Sequence, residues 1–69
     1  MSVYKVIQLV GTSPTSWEDA AKTAVAKAAK SLRELRVAEV SELDMTVDNK
    51  GQVELYRAKL KVSFKYEDA

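Results

Sequence analysis

The chain contains no cysteine and no histidine. Disulfide bridges are excluded, and with them zinc, haem and iron–sulfur sites built on thiolate or imidazole ligands. The same absences remove the commonest general base and the best nucleophile of enzyme chemistry. Gly11 and Gly51 are the two glycines, too few and too far apart for a phosphate-cradling loop. Charge of either sign is not in excess, with 11 Lys and Arg against 10 Asp and Glu, unlike the basic footprint of a nucleic-acid binder. No apolar run approaches the roughly 20 residues of a membrane span. Met1-Ser2-Val3-Tyr4-Lys5 lacks the charged-then-apolar pattern of a secretory leader. The expectation is a cytoplasmic, non-enzymatic protein with no nucleic-acid or membrane partner.

Size sets a further limit. A chain of 69 residues forms one domain, 1–69, and buries only about 60% of its unfolded surface. A core of that size rarely supplies more than about 3–5 kcal/mol. With disulfides and metal clusters gone, association with copies of itself is the remaining way to bury apolar surface. The apolar fraction of 46% is ordinary for a globular chain and too high for a disordered one.

Val3 to Val10 is a short, β-branched, nearly all-apolar run. It reads as a strand buried on both faces, ended by Gly11 and the turn residues after it. Thr15 with Glu18, or Ser16 with Asp19, offers a helix cap. From there Trp17, Ala21, Ala24, Ala28, Leu32 and Leu35 recur at spacings of three and four, predicting a helix over 16–35. Seven of the ten residues 20–29 are Ala or Val, small enough for the helix to lie close on a sheet. Arg36 to Val47 and Gln52 to Tyr66 read as long strands. The second alternates, with Tyr56, Ala58, Leu60, Val62, Phe64 and Tyr66 on one face and Arg57, Lys59, Lys61 and Lys65 on the other.

Asp48-Asn49-Lys50-Gly51 joins these strands as a hairpin, and two registers are open. A two-residue loop places Glu42 opposite Arg57; a three-residue loop with Gly51 left-handed places Glu39 opposite Lys61. The predicted fold is α+β, a β-α-β-β subunit with one helix across a three-stranded antiparallel sheet. Strands of 12–15 residues reach roughly 40–50 Å. A helix of 20 residues spans only about 30 Å. The sheet therefore overhangs its helix, and the surplus apolar face calls for a partner subunit.

No catalytic constellation emerges, because none of the serines has a base partner by motif. Glu39, Glu42 and Asp44 beside the Lys and Arg row read first as members of ion pairs. The hairpin lacks the alternating oxygen spacing of an EF-hand. Trp17, on the first turn of the helix, reads as a core or interface anchor rather than a ligand platform. The Lys row reads as a solvated face, with an anion-lined or partner-binding surface as its functional alternative.

Val3-Tyr4-Lys5-Val6, Leu9-Val10-Gly11-Thr12-Ser13, the Ala-rich helix, Ala38-Glu39-Val40 and Val62-Ser63-Phe64 resemble the dodecins over nearly the whole chain. The resemblance implies a sheet wrapped partly round its helix and a hollow homododecamer. It also implies a flavin pocket at two-fold axes, with a Trp from the start of the second strand stacked on the ring. A Gln of the third strand reads the ring's polar edge. The matching stretch here is Arg36-Val37-Ala38, so Val37 stands for the Trp, and Arg57 stands for the Gln. Stacking on a heterocycle is worth roughly 1–3 kcal/mol per ring, and Arg donates where Gln both donates and accepts. Weak or absent flavin binding is therefore expected.

Ser13-Pro14-Thr15-Ser16-Trp17-Glu18, Asp44-Met45, Val47-Asp48 and Tyr56-Arg57 are closer to a second branch, the calcium dodecins. That resemblance implies a calcium ion. Its oxygen ligands are chosen by chemistry as Glu18, Glu39, Glu42 and Asp44. Arg57, gathered near its own copy by a two-fold, needs a counter-charge, and Glu42 is the expected partner. The functional readings are an ion- or small-ligand-binding storage shell, a flavin-binding dodecin with an altered pocket, and a ligand-free structural or partner-binding assembly.

Overall fold

The computed structural model describes residues 1–68. Four elements follow in order: β1 (Ser2–Ser13), α1 (Trp17–Ser31), β2 (Leu35–Val47) and β3 (Val53–Asp68). They form the expected β-α-β-β arrangement, with one helix over a three-stranded antiparallel sheet. The strand order is β1-β3-β2, so β3 is central and pairs antiparallel with both neighbours.

The helix starts at the later of the two candidate caps. Ser16 Oγ accepts from the Asp19 amide at 2.9 Å, satisfying one of the amides that a helix start leaves unpaired. Glu18 and Asp19 follow in the first turn, at the positive end of the helix dipole. Ser13, the last residue of β1, is buried and binds the same corner. Its Oγ donates to Asp19 Oδ2 at 2.7 Å and accepts from the Thr15 amide at 3.0 Å. The turn is thus tied to both the strand it leaves and the helix it enters.

α1 ends at Ser31, earlier than the apolar spacing predicts. The Leu32 amide still bonds to Ala28 O, but Leu32 itself is extended. Glu34 then adopts a left-handed conformation, φ 51°, unusual for a non-glycine residue. Leu32 and Leu35 nevertheless pack on the core. Their spacing serves burial around a reversal, not further helical turns.

Gly11 does not end β1; it lies inside it. A Cβ at this position would sit 2.1 Å from Ala20 O and 2.9 Å from Ala24 Cβ. This is where the helix backbone crosses the strand, and glycine provides the clearance. The core lies beside the crossing: Ala20, Ala24, Ala58, Leu60 and Val62, with Ile7, Leu9, Val25, Leu32 and Leu35 packed around it. Small helix residues and large sheet residues interdigitate there.

The single chain leaves much of its apolar surface open. It is 54 Å long with a radius of gyration of 14.3 Å, against about 11 Å for a compact domain of this length. Its accessible surface is 5134 Å², about a fifth above the value that size alone predicts. β1 is not buried on both faces within the chain, since Val3, Val6 and Val10 are exposed. On β2, Val40, Leu43 and Met45 share the face of Leu60, Ala58 and Tyr56 through pairing, yet remain exposed. An open groove of about 390 Å³ runs between α1 and β2, lined by Ala21, Val25, Ala38, Val40 and Leu60.

Candidate functional site

The hairpin adopts the three-residue form. Gly51 is left-handed at φ 80°, its amide bonds to Asp48 O at 3.1 Å, and the Asp48 amide bonds to Gln52 O at 2.8 Å. Asp48 Oδ1 also accepts from the Lys50 and Gln52 amides at 2.8 and 2.9 Å. Glu39 accordingly lies opposite Lys61.

The register then changes inside β2. Val40 pairs with Leu60, but Glu42 pairs with Lys59, so Ser41 is an extra residue, a bulge. A second irregularity, between Thr46 and Val47, leaves Glu54 as the extra residue on β3. Side chains occupy both places. Ser41 Oγ donates to Lys59 O at 3.0 Å, and Thr46 Oγ1 accepts from the Leu55 amide at 3.2 Å.

The bulge has a chemical consequence. In a regular strand Glu39 would face away from Glu42 and Asp44, because side chains alternate. The extra Ser41 brings all three acids to one face, opposite Lys61, Lys59 and Arg57 in turn. Three acid–base rungs result. Arg57 pairs with Asp44, not with Glu42 as the sequence suggested. Nε donates to Oδ1 at 2.6 Å and NH2 to Oδ2 at 2.9 Å, a two-pronged bond. Glu42 instead meets Lys59 at 3.4 Å, and Lys59 Nζ also lies 3.9 Å from Asp44 Oδ2.

These contacts set the electrostatics. The hydrogen bonds from Arg57 pull the Asp44 carboxyl below its ordinary pKa and outweigh the desolvation that pushes it up. The charges of Arg57 and Lys59 add to the lowering. The Arg57 guanidinium is raised by the same hydrogen bonds.

Trp17 anchors this region from the helix side. Its Nε1 donates to Asp44 O at 2.8 Å, and its ring meets Tyr56 edge to face at 5.0 Å and 76°. Its predicted role as a core or interface anchor has a specific form, a tie from the start of α1 to β2 and β3. The sequence contained the Trp but nothing that paired it with Asp44.

The four acids chosen as ion ligands do not come together in one chain. Glu18 stands on the first turn of α1, exposed, 3.4 Å from Lys22. Glu39, Glu42 and Asp44 are strung along β2. Among the described residues no three acidic side chains form a group able to hold a metal. The positions assigned to a flavin pocket are also dispersed. Val37 pairs with Ser63, six residues along β3 from Arg57 and on the same face, about 20 Å away at strand spacing. Ala38 pairs with Val62 and so faces the helix side, while Arg36 is the extra residue of a further irregularity and pairs with Glu34 at 3.1 Å. Within one chain neither set of residues is gathered into a site.

Among the described residues, no helix is long and apolar enough to cross a membrane. Comparison with known proteins agrees with the fold. A family description, Dodecin, matches residues 3–67. A calcium dodecin of Mycobacterium tuberculosis is 58% identical over 69 residues, spanning 100% of this chain and 96% of the relative. A dodecin of Thermus thermophilus is 42% identical over 66 residues, spanning 96% and 94%. The crystal structure of a calcium dodecin from M. tuberculosis, described as a calcium-chelating antigen with a novel calcium-binding site, superposes with a TM-score of 0.85 at 56% identity. It covers 99% of this chain and 96% of its own. A dodecin from Streptomyces coelicolor gives a TM-score of 0.89 at 34% identity, with coverage of 99% and 96%. With the family match running almost end to end over the same strand–helix–strand–strand order, the chain belongs to the dodecin family.

Proposed function

We propose that this chain is the subunit of a closed, hollow homododecamer that binds and stores a small ligand in the cytoplasm, with calcium as the ion, and catalyses no reaction. The observation that carries the assembly is the open apolar side of β2. Val40, Leu43 and Met45 lie exposed in line with the buried core of β3. A monomer leaves that surface in water; a closed shell covers it without exposing new edges.

Calcium is favoured by the likeness to the calcium dodecin and by the donor chemistry. Calcium takes six to eight oxygen ligands in flexible geometry, and the acids on β2 are hard oxygen donors. One chain gathers too few of them, so the coordination sphere would be completed by symmetry-related copies. Glu39 and Glu42 are the carboxylates proposed to contribute, with Glu18 from the exposed helix start of a neighbouring copy. The ion would neutralise acids that assembly brings close together.

Flavin is the disfavoured ligand. Val37 offers no ring to stack on, and Arg57, at the family's Gln position, is already bonded at Nε and NH2 to Asp44. Riboflavin titrated against the protein is expected to keep its fluorescence; nanomolar quenching would reverse this reading. Light scattering coupled to size exclusion tests the shell, and a stable folded monomer at micromolar concentration would overturn it. Isothermal titration with calcium tests the ion. Binding to the folded state alone at 100 times Kd adds about 2.7 kcal/mol, which a thermal melt detects directly.

A further inference from the structure

The single chain carries surplus surface of a definite size. Its 5134 Å² exceeds the roughly 4,300 Å² of a compact monomer of this mass by about 800 Å². One partner of a stable protein pair buries about that area. On the helix side of β2 the surplus has a shape, a knob beside a hollow. Leu43 is the knob, opposite Ala58 on β3 and 53% exposed. The hollow is the open groove of about 390 Å³ between α1 and β2, lined by Ala21, Val25, Ala38, Val40 and Leu60. Lys22 at its rim already pairs with Glu18 at 3.4 Å.

We propose that a second copy of this chain fills the groove: two copies pack about a two-fold axis, with Leu43 of each seated in the α1–β2 groove of the other. The proposal rests on the homo-oligomer reading and specifies one of its contacts.

Self-complementarity decides the occupant. Ala38 is opposite Val62 and Leu43 opposite Ala58, so groove and knob lie about 13 Å apart at strand spacing. A two-fold axis beside β2 near Ser41, midway between them, sets the second β2 antiparallel. Both knobs then meet both grooves at once, as an isologous contact requires. The bulge makes this possible. Without the extra Ser41, Leu43 would point away from the helix, because side chains alternate, and knob and groove would lie on opposite faces.

The contact is one of side chains. The free edge of β2 is interrupted where Arg36 and Ser41 are extra residues, and such irregularities blunt an edge against main-chain pairing. Charge on the other face does not oppose the contact. The axis brings Glu39 of one copy toward Glu42 of the next, but each acid arrives with a base opposite it on its own β3, Lys61 and Lys59.

The lack of cysteine in the chain makes a cross-linking test clean. Light scattering first gives the mass of wild type and of the double variant Ala38→Cys with Leu43→Cys. The double variant is then oxidised and run on a denaturing gel without reductant. Its two positions cannot bridge within one chain, since a disulfide needs Cα atoms within about 7 Å. The expected product is a covalent pair that grows no further, because both bridges close between the same two copies. Each single variant is expected to stay uncrosslinked. A ladder of three or more copies would show head-to-tail contact and overturn the proposal, as would an assembled double variant that gives no covalent pair. A monomeric wild type takes down the homo-oligomer reading and this contact together, whereas an assembled wild type with either failed cross-linking result takes down the contact alone. Should the double variant fail to assemble, blocking the groove decides. Ala38→Phe is expected to weaken the assembly about tenfold, and adding Leu43→Ala to recover about threefold of that loss. Assembly unaffected by Ala38→Phe, or no recovery, overturns the proposal.

Discussion

β1 and β2 flank the same central strand, carry similar numbers of apolar residues, and meet different fates. On β1 the residues facing α1 are covered: Ile7 and Leu9 are half-buried, and Gly11 and Ser13 are buried. On β2 their counterparts Val40, Leu43 and Met45 remain 39–53% exposed. Hydrophobicity does not separate the two strands. What separates them is where the helix lands, and that is set by Gly11, whose missing side chain admits the backbone at Ala20. The helix leans toward β1 and reaches β2 chiefly through Trp17. The covered side is the chain's own core, and the open side is the surface left for the proposed assembly to cover.

The largest effect is expected from removing the clearance on the covered side. Gly11→Ala places a Cβ 2.1 Å from a main-chain oxygen that cannot rotate away. Overpacking of this kind costs about 1–3 kcal/mol and occasionally more, and a collision with helix backbone belongs at the upper end. Chemical denaturation of the variant should show a loss of about 3 kcal/mol or failure to fold. A variant as stable as wild type would mean that the helix is free to lift, and the contrast between β1 and β2 would lose its cause.

The second prediction addresses the open side. Leu43→Lys adds a charge at a side chain that is 53% exposed in the single chain. Surface changes normally stay within about 0.5 kcal/mol, so an isolated chain would tolerate it. If copies cover β2, the buried charge is unpaired and the shell should dissociate at micromolar concentration, seen by light scattering. An intact shell with an unchanged melt would show that this part of β2 is wet in the assembly too.

Much of this contrast lay beyond the sequence. The order of elements was legible, because the 2- and 3.6-residue periods are local. The hairpin was legible but its form was not: two registers were open, and the left-handed Gly51 of the structure, φ 80°, selects the three-residue loop. The covered strand was not, because glycine reads as a strand terminator until the crossing helix is known. The end of α1 was missed because Leu32 and Leu35 continue a helical spacing through a reversal at Glu34 that no Gly or Pro marks. The partner of Arg57 was missed for the same kind of reason. Glu54 carries no sequence signal of a bulge, yet it moves the register by one between the hairpin and Arg57. The sequence put Glu39, Glu42 and Asp44 beside the Lys and Arg row, but their gathering on one face is the work of the extra residue Ser41.

Acid offers a milder way to loosen the region where the open side is tied down. Asp44 has a folded-state pKa below its unfolded value of about 3.9, chiefly through its hydrogen bonds from Arg57. A group depressed in this way contributes stability that is fully present above the unfolded pKa and is lost as pH falls through the folded value. Thermal melts taken from about pH 5 downward should decline more steeply below about pH 4 for wild type than for Asp44→Asn. Parallel curves would mean that other carboxylates carry the acid response.

The smallest expected effect isolates the tie between the two sides. Trp17→Phe keeps an aromatic ring near Tyr56 but removes the indole N–H that bonds Asp44 O at 2.8 Å. A net hydrogen bond is worth about 1 kcal/mol, and a carbonyl left unsatisfied where water is excluded costs about 1–3 kcal/mol. Asp44 is only partly buried, so water can replace the lost donor and the lower figure applies. The variant should lose about 1 kcal/mol, with amide exchange rising at the start of α1 and in β2 near Asp44 but not in β1. That asymmetry is the informative part. If the helix is seated on β1 by Gly11 and merely tied to β2 by Trp17, cutting the tie frees β2 and leaves the Gly11 crossing protected. Equal loss of protection in both strands would make Trp17 part of the common core, and the two sides of the sheet would differ in exposure but not in attachment.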